Sequence, residues 1–141
     1  MQSTSAINKL APPPVAYDIA IYLCNKVDLL QEAKCQDRDV SLAEEQAIAR
    51  TLTSDDRVAN YIYVSLADSY QLGLRVLQPE EAKALQPGTL PASYFVALGH
   101  LTDVDAVIAG YTSLDGVESV TACRTLAQCQ VATLRSAGIV N

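Results

Sequence analysis

Residues 89–98 read TLPASYFVAL, and the fold depends on whether this is an isolated buried strand or one strand of a larger pattern. Pro91 has no amide proton to give a sheet, so it belongs just before a strand, where that loss costs little. Behind it Tyr94, Val96 and Leu98 alternate with Ser93, Phe95 and Ala97, the period of two that gives a strand two faces. Three other stretches read the same way. YDIAIYLC (17–24) sets Ile19, Ile21 and Leu23 against Asp18, Ala20 and Tyr22, and VANYIYVS (58–65) and VESVTACR (117–124) complete the set.

Helical patterns fill the spaces between them. Ser41 followed by Glu44 is a capping box; it opens a helix to about Thr53 whose apolar stripe reads as Leu42, Ile48 and Leu52. Ser65 with Asp68 repeats the capping pattern ahead of a stripe of Leu66, Tyr70, Leu74 and Leu77. Pro79-Glu80-Glu81 starts a short helix, with proline at its first position and acids in its first turn, and Pro87-Gly88 ends it. Thr102 with Asp105 reads as the cap of a third main helix, striped by Val104, Ile108, Tyr111 and Leu114. Leu114-Asp115-Gly116 turns into the last strand, and a final amphipathic segment carries Leu126, Val131 and Leu134.

The order is therefore strand, helix, strand, helical insert, strand, helix, strand. With the insert set aside this is β-α-β-β-α-β, an α+β fold of ferredoxin-like type with a small helical lobe (66–90) between strands 2 and 3. Residues 1–16, with Pro12, Pro13 and Pro14, read as a flexible Pro-rich tether. Residues 17–125 form the domain proper, and 126–141 a helical tail. Two helices are expected on one sheet face, with Tyr22 and Phe95 on an open face opposite.

Composition narrows the function. A chain of 141 residues fits one domain with a subdomain attached, and half of its residues are hydrophobic against 18% charged, which is a folding composition. The net charge of −6 and ten scattered basic residues argue against nucleic acid, whose binders concentrate Lys and Arg. No stretch approaches the ~18 apolar residues of a membrane span, and the N-terminus lacks the basic and apolar regions of a signal peptide.

No catalytic constellation emerges. His100 stands alone in a loop, and Ser65 and Ser93 lie in no nucleophile elbow. The six glycines form no phosphate loop. Asp55/Asp56, Glu80/Glu81 and Asp103/Asp105 sit at turns or helix starts, where the helix dipole already favours acids. The chain is read as a non-enzyme without metal or cofactor. Strand aromatics such as Tyr22, Tyr61, Tyr63, Tyr94 and Phe95 could stack bases, but they lack basic companions. In the insert, Leu72, Leu74, Val76, Leu77 and Leu85 exceed what two short helices can bury between them. Such leftover apolar surface is a protein-binding feature.

The four cysteines, Cys24, Cys35, Cys123 and Cys129, fit no zinc spacing. They are either buried free thiols or two short disulfides, Cys24–Cys35 and Cys123–Cys129, the latter implying an oxidising compartment. In the split strand pattern Cys24 and Cys123 fall at opposite ends of the sheet. That disfavours joining them, since Cα atoms beyond ~7 Å cannot be bridged.

The strings IAIYLC (19–24), AEEQAIARTL (43–52), VANYIYVS (58–65), ADSYQLGL (67–74), LPASYFVAL (90–98) and LDGVESV (114–120) run in a fixed order. This collinear series resembles the extracytoplasmic domain of the FtsX family of permease-like cell-division proteins, over about residues 17–125. The resemblance implies a non-catalytic domain on the outer face of the cell membrane. There it would recruit or activate a peptidoglycan hydrolase, the cytoplasmic ATPase acting only indirectly through a membrane permease part. It implies a partner surface on the insert, carried onto Tyr70, Leu74 and Leu77, to which Leu72 and Leu85 add apolar area. Leu77 stands where the family carries an aromatic, and Cys123, Cys129 and the tail have no counterpart in the pattern. With no membrane helix in the sequence, an excised ectodomain or a tethered relative is expected. The competing reading is a small-ligand sensor using the open sheet face around Tyr22 and Phe95.

Overall fold

A computed structural model gives the fold for residues 17–26, 35, 38–83 and 85–123, the side chain of Val76 excepted. The expected tether, the tail and Cys129 lie outside these residues. The elements in chain order are β1 (Ile19–Leu23), α1 (Leu42–Ser54), β2 (Val58–Val64), α2 (Leu66–Val76), α3 (Pro79–Ala82), β3 (Ser93–Leu98), a 3-10 turn (Leu101–Asp103), α4 (Val104–Thr112) and β4 (Val117–Ala122). The protein is α+β, with one four-stranded sheet in the order β2-β3-β1-β4. All three pairings are antiparallel.

The stretch around Pro91 supplies the centre of this sheet. In β3, Tyr94 pairs with Ile21 and Tyr63, and Phe95 with Ala20 and Ile62. The first face carries Ile19, Ile21, Leu23, Tyr61, Tyr94 and Val96, packed against Ile48 and Leu52 of α1 and Val107 and Tyr111 of α4. Complete burial of side chains such as Ile48 and Leu52 stabilises by roughly 1.5–3 kcal/mol each. The second face carries Ala20, Tyr22, Ile62, Val64 and Phe95, with Tyr17, Cys123 and Leu72 against them. Tyr22 is 3% exposed and Phe95 0%. The expected open face does not exist. Both faces of the central strands are covered, and Tyr17 meets Phe95 edge-on at 5.7 Å between ring centres.

Helix starts follow the capping chemistry, with one exception. The Glu44 N–H donates to Ser41 Oγ (3.1 Å) and the Ser41 N–H to Glu44 Oε1 (2.9 Å), which satisfies two of the amides a helix start leaves unpaired. Ser65 Oγ accepts from the Asp68 N–H at 3.1 Å. The Thr102–Asp105 cap is not formed: a 3-10 turn leads into α4, where Asp103 occupies the N-cap position without a side-chain hydrogen bond. The stripe of α1 also needs correcting, because Leu42 is 69% exposed. Six residues separate it from Ile48, which turns it roughly 120° away on a helix of 3.6 residues per turn.

Cys24 and Cys35 form a disulfide with Cα atoms 5.3 Å apart, closing the connection that follows β1. Cys123 is also disulfide-bonded. The Cys24 N–H donates to Gly116 O at one end of the sheet and the Cys123 N–H to Asp18 O at the other. The two cysteines thus lie as far apart as the strand order requires. Gly116 has φ +86°, and a Cβ there would come within 2.8 Å of the Glu44 Cβ. Only glycine makes the turn into β4 this close to α1.

Candidate functional site

The helical connection between β2 and β3 leaves the sheet at Ser65 and returns at Pro91. Two contacts hold it down. Ser69, fully buried, donates its hydroxyl to the Pro91 carbonyl at 2.8 Å. Gly73 lies so close to Leu85 and Leu90 that a Cβ would meet their methyl groups at 2.7 and 2.8 Å. Ser69 and Gly73 are one turn apart, so small residues let this face of α2 approach the returning chain. Neither stands out in a search for apolar periodicity; the signal is a small residue repeating at a spacing of four.

Around this contact Leu77, Leu85 and Leu90 form a small buried cluster, with Tyr70, Leu74 and Ala82 partly buried at its margin. Of the five expected partner-binding residues, Leu77 is only 9% and Leu85 only 4% exposed. These two are interior. Tyr70 and Leu74 flank them and remain partly accessible. Leu72 packs instead toward the second sheet face. It follows Tyr70 by two residues, a rotation of about 200°, so the two cannot share a helix face. Four of the five residues come together, two of them as surface, and Leu72 does not join them.

Beside this connection runs a groove of about 390 Å³, lined by Asp39, Glu45, Tyr63, Leu66, Ala67 and Ala92 among others. Glu45 accepts a hydrogen bond from the Tyr63 hydroxyl at 3.0 Å. Burial pushes the Glu45 carboxyl above its usual range, partly offset by the Tyr63 bond. Burial, and then the Glu45 charge, raises the Tyr63 phenol. Sequence periodicity gave no hint of this pair. It joins the first turn of α1 to the end of β2, 18 residues apart.

Two further carboxylates are held by cations. Arg57 grips Asp55 through Nε and Nη2 at 2.9 and 2.8 Å, while Tyr111 donates to it at 3.0 Å. Arg38 binds both oxygens of Glu44 at 2.9 and 3.0 Å. Both pairs brace the framework rather than converge on a reacting atom. Among the described residues no group of three His, Cys, Asp or Glu side chains could hold a metal, and no helix is long and apolar enough to cross a membrane.

Residues 17–132 fit the model of the FtsX extracellular domain. The chain belongs to this family. No curated protein matches it. As an FtsX extracellular domain it is a cell-division-associated, extracytoplasmic module, and the Cys24–Cys35 bridge suits an oxidising exterior. The matched span takes in all four strands and the helical connection between β2 and β3.

Proposed function

We propose that this domain is a non-catalytic interaction module that recruits or activates a peptidoglycan hydrolase outside the membrane. The contact surface is the helical lobe 66–90, with Tyr70 and Leu74 as its accessible apolar residues. A membrane permease part couples it indirectly to a cytoplasmic ATPase. The observation that carries this reading is the pair itself. Tyr70 and Leu74 lie one turn apart on α2, partly exposed over the buried Leu77–Leu85–Leu90 cluster. A firmly backed apolar rim of this kind is suited to a partner helix, which reads i and i+4 anchors.

The ferredoxin-like reading of the core is supported by the strand order, in which β3 lies between β1 and β2 and β4 edges the sheet beside β1. In this reading residues 1–16 are a tether that keeps the domain near the membrane, 17–125 the domain and 126–141 its tail. No observation favours the sensor alternative, whose site would need Tyr22 and Phe95 accessible.

The test is a Tyr70→Asp/Leu74→Asp double variant, measured for binding to the division hydrolase by calorimetry. Loss of binding with a native circular dichroism spectrum is expected. Native-strength binding by the folded variant overturns the assignment. Leu77 is unsuitable for this test, since a charge at a buried position would damage the lobe itself.

A further inference from the structure

The groove at the junction of the sheet and the helical connection has a chemical character of its own. Among the described residues that line it are two carboxylates, Asp39 and Glu45, and no lysine or arginine. Neither carboxylate is in an ion pair among the described residues, whereas Glu44, Asp55 and Glu80 are. Glu45 is fixed through Oε2 by the Tyr63 hydroxyl, and Asp39 Oδ1 accepts the Lys26 N–H at 2.7 Å. Each carboxylate is therefore held in place by a neutral donor and has no ion-pair partner among the described residues. Tyr63 adds an aromatic ring to the wall, a surface that attracts cations.

The rim is apolar. Leu42, Leu66 and Leu101 are the exposed large hydrophobic side chains among the described residues, at 69%, 39% and 60%. Leu66 lines the groove. Leu42 precedes Glu45 by one helical turn and so shares its side of α1. A volume of about 390 Å³ is near the small end of ligand cavities, roughly 300–1,000 Å³. It suits one or two side chains, and the leucines extend the contact surface beyond it. An anion at the start of α2 would meet Asp39 and Glu45, which excludes phosphate-like ligands on charge.

We propose that the groove between the first turns of α1 and α2 docks a partner polypeptide segment that presents a lysine or arginine next to a large apolar side chain. The cation lies against Glu45, Asp39 and the ring of Tyr63, and the apolar neighbour against Leu66 and Leu42. This rests on the reading of the domain as an interaction module and adds a second, chemically distinct contact to the Tyr70–Leu74 surface. Ser65 and Ala92, where the chain leaves and rejoins the sheet, also line the groove, so an occupant touches both parts of the molecule.

The test is an amide-shift titration of the full 141-residue chain with acetyl-Leu-Arg-Leu-amide and with acetyl-Leu-Glu-Leu-amide. Saturable shifts at Tyr63, Ser65, Leu66 and Ala67 are expected with the arginine peptide only. Glu45→Gln keeps the size and the Tyr63 bond but removes the charge; it should weaken that binding roughly three- to tenfold, as should Leu66→Ser. Equal binding of the two peptides, shifts confined to other surfaces, no saturable shift, or an unchanged Kd in Glu45→Gln each overturns the proposal. Hydrolase binding by Glu45→Gln and by Tyr70→Asp/Leu74→Asp, measured side by side, separates the two readings. If only the second variant loses hydrolase binding, the groove proposal fails and the lobe assignment stands. If only the first loses it, the lobe assignment fails.

Discussion

Two buried serines show how much one hydroxyl depends on its surroundings. Ser93 occupies a fully buried position on β3 between Tyr22 and Val64, on the second sheet face, and its hydroxyl has no hydrogen-bond partner among the described residues. Ser69 is equally buried, but its hydroxyl satisfies the Pro91 carbonyl at 2.8 Å. A buried polar group without a partner keeps its desolvation cost, whereas a paired one returns it. Ser93→Ala should therefore raise stability by about 0.5–1 kcal/mol and Ser69→Ala lower it by about 1 kcal/mol. Urea denaturation of the two variants checks the pair of signs; a destabilised Ser93→Ala would mean the hydroxyl is satisfied. The contrast cannot be read from sequence, because both serines sit in apolar surroundings and only the fold brings Pro91 to one of them. Alternation in 93–98 is different. It depends on neighbours in the chain alone, and the two faces it predicts are those observed.

At the level of elements, local chemistry was legible and packing was not. The start of α1 combines Ser41, Glu44 and Arg38, with Glu44 Oε1 accepting from both the Ser41 N–H and Arg38 Nη1 at 2.9 Å. Ser41→Ala removes the acceptor for the Glu44 N–H and should cost about 1 kcal/mol. Thermal unfolding should show a drop of several degrees, and an unchanged midpoint would mean the helix start is held by Glu44 and Arg38 without the serine. A capping box spans four residues, so its sequence pattern found it at Ser41, although the same spacing at Thr102–Asp105 forms no cap. Leu42 misled because it was grouped with Ile48 and Leu52 by polarity rather than by angle. Leu72 misled because the cluster it packs against, which includes Ile62 and Phe95, is built by the strands. The partner surface was legible as an excess of leucine in 66–90, but not as a division into buried Leu77 and Leu85 and accessible Tyr70 and Leu74. That division follows from Leu85 and Leu90 packing close against α2 at Gly73. The Glu45–Tyr63 groove had no sequence signal, since it depends on α1 and β2 meeting.

Across the whole molecule, acid sensitivity should concentrate at Asp55, which joins three elements: it caps α1, holds Arg57 before β2 and accepts from Tyr111 of α4. The Arg57 guanidinium, aided by the Arg57 amide and the Tyr111 hydroxyl, lowers the Asp55 carboxyl from 3.8 to about 2 despite the opposing effect of burial. The folded state thus binds this proton less readily than the unfolded chain. Its contribution is complete above the unfolded value near 3.8 and is lost as pH falls through about 2. The Asp55 side chain is 11% exposed, but Arg57 is 40% exposed, so solvent screening leaves about 1–2 kcal/mol. Glu44, lowered to about 2 chiefly by Arg38, acts in the same direction. Glu45 opposes them: burial raises its carboxyl, so the folded state holds that proton more tightly and gains relative stability as pH falls through its range. Asp55→Asn keeps the shape and removes the charge. The wild-type domain should then lose about 1 kcal/mol more than Asp55→Asn between pH 5 and pH 2.5, most of the Asp55 contribution, with Glu44 and Glu45 cancelling in the comparison. Urea midpoints of both proteins at the two pH values measure this difference. Equal losses would show that Arg57 and Tyr111 do not hold α1, β2 and α4 together through the Asp55 charge.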